Sequence, residues 1–125
     1  MNIKVLVVDD SATMRRIVIN SLKKIGYNNF VEAADGKAAW DIIQSQKDID
    51  FVITDWNMPN MTGLELTKTI RSSSEFANLP ILMVTTRGVK QDIVDALQAR
   101  VNNYVKKPFT PQILKQKIDQ IFDNM

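Results

Sequence analysis

Five short apolar runs rich in β-branched residues recur along the chain, at residues 3–8, 30–31, 51–54, 81–85 and 104–105. The segments between them carry a different rhythm, with apolar residues three and four apart, which is helical spacing. Met14, Ile17, Val18, Leu22 and Ile25 fall on one stripe, and Gly26 follows as a stop signal. Ala39, Trp40 and Ile43 mark a second helix after the turn at Asp35-Gly36. Leu64, Leu66 and Ile70 mark a third that opens near Thr62-Gly63, and Val89, Ile93, Val94 and Leu97 give a fourth. In the fifth, Thr110 supplies an N-cap, Pro111 fits the first helical position, and Leu114, Ile118, Ile121 and Phe122 line one face. Five strands alternating with five helices predict an α/β fold in which a five-stranded parallel sheet is doubly wound by helices on both faces. The unbroken apolar strand Val5-Leu6-Val7-Val8 agrees, because parallel strands are buried on both sides. No linker or low-complexity tract interrupts the pattern, so residues 1–125 read as one domain.

Composition narrows the chemistry. The chain has no Cys and no His, which excludes disulfides, thiolate or imidazole zinc sites, Cys nucleophiles and Ser-His-Asp triads. Charge is nearly balanced, with 16 Lys+Arg against 14 Asp+Glu, so no nucleic-acid partner is expected. No apolar run approaches the roughly 20 residues of a membrane span. Residues 1–4 lead into the first strand without a signal-peptide pattern, and a cytoplasmic protein without membrane contact is the expectation.

In a parallel sheet every strand ends at the same edge, and ligands bind in the crevice beyond those carboxyl ends. Strand one runs into Asp9-Asp10, strand three into Asp55, strand four into Thr85-Thr86 and strand five into Lys106-Lys107-Pro108. One Asp after a strand is ordinarily a helix cap or turn residue. Three of them converging with a lysine on one rim are a different matter, since gathered carboxylates repel and call for a countercharge. A hard divalent cation with oxygen ligands answers that need, and with so few protein ligands Mg²⁺ fits better than Ca²⁺. Cation, carboxylate, hydroxyl and lysine together make a phosphoryl site, with Asp55 as a nucleophile and Lys107 and Thr85 contacting the transferred oxygens.

The motifs Val7-Val8-Asp9-Asp10-Ser11, Thr13-Met14-Arg15-Arg16-Ile17, Thr54-Asp55-Trp56-Asn57-Met58-Pro59, Met83-Val84-Thr85, and Tyr104 with Lys107-Pro108-Phe109 go further. Over essentially its whole length the sequence resembles the receiver domains of two-component response regulators, and among them the chemotaxis branch. The resemblance implies the flavodoxin-like (βα)5 receiver fold and a single-domain monomer that catalyses only its own phosphorylation and dephosphorylation. It implies that Asp55 accepts a phosphoryl group from a phosphohistidine on a histidine kinase of the CheA type. Asp10, Asp55 and the backbone carbonyl of Asn57 would ligate Mg²⁺, with Asp9 acting through water. Lys107, joined to Pro108 by a cis bond, would touch the phosphoryl oxygens, and Thr85 and Tyr104 would move together as the switch. The output face would comprise helix four, strand five and helix five, with Tyr104 and Lys106 on it. Its partner would be a flagellar motor switch protein of the FliM type, and a phosphatase would reset it.

From Arg87 onward there are seven basic and four acidic residues, so this segment is mildly basic. Three residues depart from the receiver pattern. Arg100 stands where Gly is common after helix four, which costs about 1 kcal/mol if φ is positive there. Lys106 replaces an apolar residue, and its head must escape to solvent or to a partner carboxylate. Arg87, two residues past Thr85, is expected with Asn57 to tune how long the phosphoryl group survives. Three other readings of the residues stand beside this one. They are a phosphorelay carrier, a metal-dependent phosphohydrolase that would lack a cap and an Asp-x-Asp-x-Thr segment, and a flavodoxin-like cofactor binder in which Asp9-Asp10 would repel a phosphate.

Overall fold

The structure is a computed structural model that describes residues 2–125; Met1, the first residue of the lead-in, lies outside them. The strands are β1 (Lys4–Val8), β2 (Asn29–Ala33), β3 (Phe51–Thr54), β4 (Ile81–Thr85) and β5 (Asn103–Lys106). The helices are α1 (Ala12–Lys24), α2 (Gly36–Gln46), α3 (Gly63–Ser72), α4 (Lys90–Gln98) and α5 (Pro111–Asp123). The sheet is parallel throughout in the order β2-β1-β3-β4-β5, so the direction of winding reverses beside β1. Such a reversal opens the crevice in which ligands of open α/β sheets sit.

The period-two alternation of side chains divides the core. Val5, Val7, Phe51, Ile53, Leu82 and Val84 face one way, toward Val18 and Leu22 of α1 and Leu114, Ile118 and Ile121 of α5. Leu6, Val8, Val52, Ile81 and Met83 face the other way, toward Ala39 and Ile43 of α2, Leu66 and Ile70 of α3 and Ala96 of α4. The register levels the strand ends, pairing Val8 with both Ala33 and Thr54, and Thr85 with Lys106. The ladder then runs one step into the loops, through Asp9 N–H to Ala33 C=O (3.1 Å), Asp55 N–H to Val8 C=O (2.9 Å) and Lys107 N–H to Thr85 C=O (2.9 Å).

Two expected core stripes differ from the buried ones. In α1 the core receives Val18, Ser21 and Leu22, while Ile17 is 45% exposed. In α4 the buried contact is the small Ala96, and Val89 and Leu97 are 64% and 53% exposed. A short helix seated through alanine turns its larger apolar residues outward, and helical spacing alone does not say which side of a stripe meets the sheet.

Arg100 does adopt the left-handed conformation, with φ of 72°. Arg71 of α3 clasps this turn. The Arg71 Nε donates to the Arg100 carbonyl (3.0 Å), Nη1 to the Ala77 and Leu79 carbonyls, and Nη2 to Asn102 Oδ1 (2.8 Å). Lys106 is exposed, its side chain makes no hydrogen bond or ion pair among the described residues, and its stem lies where a side chain at position 88 would stand; Gly88 leaves that space open.

Candidate functional site

Asp9, Asp10, Asp55, Thr85 and Lys107 all reach the rim at the carboxyl ends of β1, β3, β4 and β5. Carboxylate oxygens of Asp9, Asp10 and Asp55 lie within 4.8 Å of one another. Asp9 is the buried member, only 3% exposed, and its carboxylate is fixed twice: Oδ1 accepts from Ser11 N–H (2.9 Å) and Oδ2 from Lys107 Nζ (2.8 Å). Its backbone carbonyl accepts from Arg15 Nη1 (2.6 Å), whose Nε donates to Glu32 Oε1 (2.9 Å), so Arg15 braces the rim from behind. Asp10 is exposed. Asp55 is half-buried, with Oδ1 held by Trp56 N–H (2.6 Å) and Oδ2 by Lys107 Nζ (3.2 Å).

Among the described residues, Lys107 is the cation that hydrogen-bonds the carboxylates of this cluster, through Asp9 and Asp55. Burial alone would pull its pKa down, but the Asp9 hydrogen bond and the Asp55 charge outweigh it and hold the ammonium above the usual lysine range. The Lys107-Pro108 peptide bond is cis. A cluster with three carboxylates and one ammonium retains an uncompensated negative charge, and its all-oxygen donor set on a half-open rim suits a hard divalent cation.

The Asp55 backbone is placed by a residue the motif reading passed over as a helix start. Gly63 N–H donates to the Trp56 carbonyl (2.9 Å), and a Cβ at Gly63 would overlap the Asp55 carbonyl oxygen, which also accepts from Thr54 Oγ1 (2.8 Å). Only glycine lets the first turn of α3 come this close under the β3–α3 loop.

Thr85 is fully buried, and its Oγ1 accepts from Arg87 N–H (3.3 Å). Arg87 is engaged through both terminal nitrogens and its plane. Its Nη1 donates to Asn57 Oδ1 (3.1 Å), its Nη2 pairs with Asp92 Oδ1 (3.0 Å), and its plane lies 4.4 Å over the Trp56 ring. Trp56, 6% exposed, is therefore capped by this arginine, and Arg87 and Asn57, both expected from sequence to tune the phosphoryl lifetime, are joined by a direct hydrogen bond that the sequence did not foretell. Tyr104 is half-buried and donates from its hydroxyl to the Arg87 carbonyl. Burial and then the Asp92 charge push the Tyr104 phenol up to about 12. Asp92, Arg15 and Gly63 are the members of the site whose roles sequence reasoning missed; Arg15 stands in a motif and Gly63 at a helix start, but only the folded loops bring them to the rim.

Of the seven cations after position 86, Arg87 and Lys107 are consumed inside the site and Lys115 pairs with Asp119 along α5 (2.6 Å). Lys90, Arg100, Lys106 and Lys117 carry no ion pair among the described residues, although Arg100 Nη2 donates to the Arg71 carbonyl (3.4 Å). The basic surface there is accordingly narrower than the composition suggests.

The sequence matches the family Response regulator receiver domain over residues 5–119. It is 51% identical over 118 residues to a chemotaxis protein CheY homolog of Campylobacter jejuni, covering 94% of this chain and 91% of that protein. It is 52% identical over 118 residues to chemotaxis protein CheY1 of Helicobacter pylori, covering 94% and 95%. Among solved structures, CheY4 of Vibrio cholerae superposes with a TM-score of 0.85 at 35% identity over 95% of this chain and 98% of that one. CheY in a CheX-CheY-BeF3-Mg²⁺ complex from Borrelia burgdorferi superposes with 0.86 at 26% identity over 96% and 89%. The chain belongs to the response regulator receiver family. Within that family it is of the CheY type, the kind that serves chemotaxis.

Proposed function

We propose that Asp55 is the phosphoacceptor of this receiver and that Asp9, Asp10, Lys107 and Thr85 are the groups that make its phosphorylation fast and reversible. The carrying observation is that Asp55 presents one oxygen to Lys107 and to two further carboxylates while the other is fixed by Trp56 N–H. In the forward step an Asp55 oxygen forms a bond to phosphorus, the N–P bond of the donor phosphohistidine breaks, and its electron pair returns to the imidazole nitrogen. In the return step water attacks phosphorus and the Asp55 carboxylate leaves, releasing inorganic phosphate. Lys107 neutralises charge on the phosphoryl oxygens, and the Thr85 hydroxyl exchanges its contact with Arg87 N–H for one of them.

Mg²⁺ would be held by Asp10, Asp55 and the Asn57 carbonyl, with Asp9 acting through water, and would supply electrostatic neutralisation of the phosphoryl oxygens. The solved CheY complex with Mg²⁺ and beryllofluoride supports that ligand class. Asn57 and Arg87 border the approach of water and tune the lifetime of the acyl phosphate. The phosphohistidine belongs to a CheA-type kinase in the cytoplasm, consistent with a chain that has no imidazole of its own. The output partner is a FliM-type motor switch protein. It meets α4, β5 and α5, which carry exposed Leu97, Lys90 and Lys106 and half-buried Tyr104, with exposed Val89 at the α4 N-cap. A phosphatase resets the rim, a role for which the CheX-CheY complex offers a precedent of partner binding.

The test is mass spectrometry after addition of Mg²⁺ and a small-molecule phosphodonor, with Trp emission followed in parallel. Wild type gains one phosphoryl group and its Trp56 emission changes; Asp55→Asn shows neither. An unaltered wild-type mass overturns the proposal.

A further inference from the structure

Four of the five helices begin on a side chain that accepts from the backbone of their own first turn: Ser11, Asp35, Thr62 and Thr110. Helix α4 begins on Val89, which has no such group. What ties its first turn to the body of the protein is the Arg87 guanidinium. One end of it pairs with Asp92 in that turn (3.0 Å), and the other end donates to Asn57 (3.1 Å) while the plane covers Trp56 (4.4 Å). Asn57 and Trp56 belong to the loop that leaves Asp55. From the same residue the backbone carbonyl receives the Tyr104 hydroxyl. The Arg87 Nε is buried without an acceptor, so the cation still has a donor to offer.

We propose that Arg87 is the positioning residue through which charge at Asp55 reaches α4, because the rim and Asp92 compete for one guanidinium. This rests on Asp55 being the phosphoacceptor. A phosphoryl group carries about −1.5 to −2 charges where the carboxylate carried one. That charge appears beside the two residues Arg87 already touches, and it draws the guanidinium toward the rim and off Asp92. With no side-chain cap to take over, the first turn of α4 loosens, and the Arg87 carbonyl that receives Tyr104 shifts with it. A capped helix would keep its first turn whatever happened at Asp55; an uncapped one answers to the tether.

Hydrogen exchange at the amides of residues 93–96, the first to be bonded within α4, reads this directly, in the free protein and with beryllofluoride plus Mg²⁺. Wild type should show faster exchange there by about tenfold on adding beryllofluoride. Arg87→Met, which keeps the apolar cover on Trp56, and Asp92→Asn should each exchange about tenfold faster already in the free state and respond little to the addition. Arg87→Lys, which restores a charge opposite Asp92, should recover both free-state protection and response, which a purely packing role for Arg87 would not produce. Wild-type exchange in both Arg87→Met and Asp92→Asn, or a full beryllofluoride response in them, overturns the tether. If wild type neither responds to beryllofluoride nor takes up a phosphoryl group, the phosphoacceptor reading fails. The free-state difference between wild type and the two variants then still decides whether Arg87 ties down α4.

Discussion

The loops that leave β3 and β4 meet at the same rim and are built in opposite ways. After β3 the chain closes tightly, with Gly63 packed under Asp55, and α3 starts on a full capping box in which Thr62 Oγ1 accepts from Glu65 N–H and Glu65 Oε1 accepts from Thr62 N–H. After β4 the chain carries no cap, α4 buries a single alanine, and its first turn is held by an arginine that belongs to the loop. The first design fixes the nucleophile in place, since local hydrogen bonds and close packing leave it one position. The second leaves a helix end whose hold depends on charge, which a reaction at the rim can change.

The largest effect should come from breaking the rigid side. Gly63→Ala must displace the Asp55 carbonyl or α3 itself, and a loss of about 3 kcal/mol in urea unfolding is expected, as for overpacked sites, together with loss of phosphoryl uptake. Thr62→Ala removes half of the capping box and should cost about 1 kcal/mol in the same measurement. On the other side, Val89→Ser supplies the missing cap at an exposed position whose backbone is already extended (φ −72°, ψ 153°). It should raise stability by about 0.5 kcal/mol and blunt the response of α4 to beryllofluoride. If Thr62→Ala and Val89→Ser moved stability in the same direction, the contrast between the two helix starts would be lost.

The smallest expected effect is a pH dependence. The folded chain holds both phenols neutral above the usual tyrosine value, Tyr27 through burial and the Asp119 charge and Tyr104 through burial and Asp92, the latter up to about 12. An unfolded phenol releases its proton near 10. Between about pH 10 and 12 the native state therefore binds protons that the unfolded state has lost, and stability must fall across that window. The raised Lys107 contributes in the same sense, its stabilisation being lost as pH climbs past the lysine range. Tyrosinate absorbance lagging behind that of the urea-unfolded chain, with a declining unfolding midpoint, checks both.

Much of this was legible in the chain. The alternation of β-branched runs with helical stripes specifies the five βα units; burial on both faces keeps the central strands β1, β3 and β4 nearly free of polar positions, while the edge strands β2 and β5 carry a few. The positions of Asp9, Asp10, Asp55, Thr85 and Lys107 at strand ends follow from that alternation alone. The stripes of α1 and α4 misled at Ile17, Val89 and Leu97, since periodicity marks a face but not what covers it. Arg100 was readable as a strained position, while the Arg71 clasp that makes the strain tolerable was not, since the two lie 29 residues apart.

What the sequence determined by itself is therefore the order of elements and the chemical inventory of the rim, both of which depend on residue type and short spacing. With no histidine among the 125 residues, it also determined that none of them can carry a phosphohistidine. Only the tertiary structure decided which acid is buried, which cation compensates it, and that Arg87 joins Trp56, Asn57, Asp92 and Tyr104 into one contact set. Those partnerships join residues from four strand ends, and distance in sequence carries no information about them until the sheet sets its register.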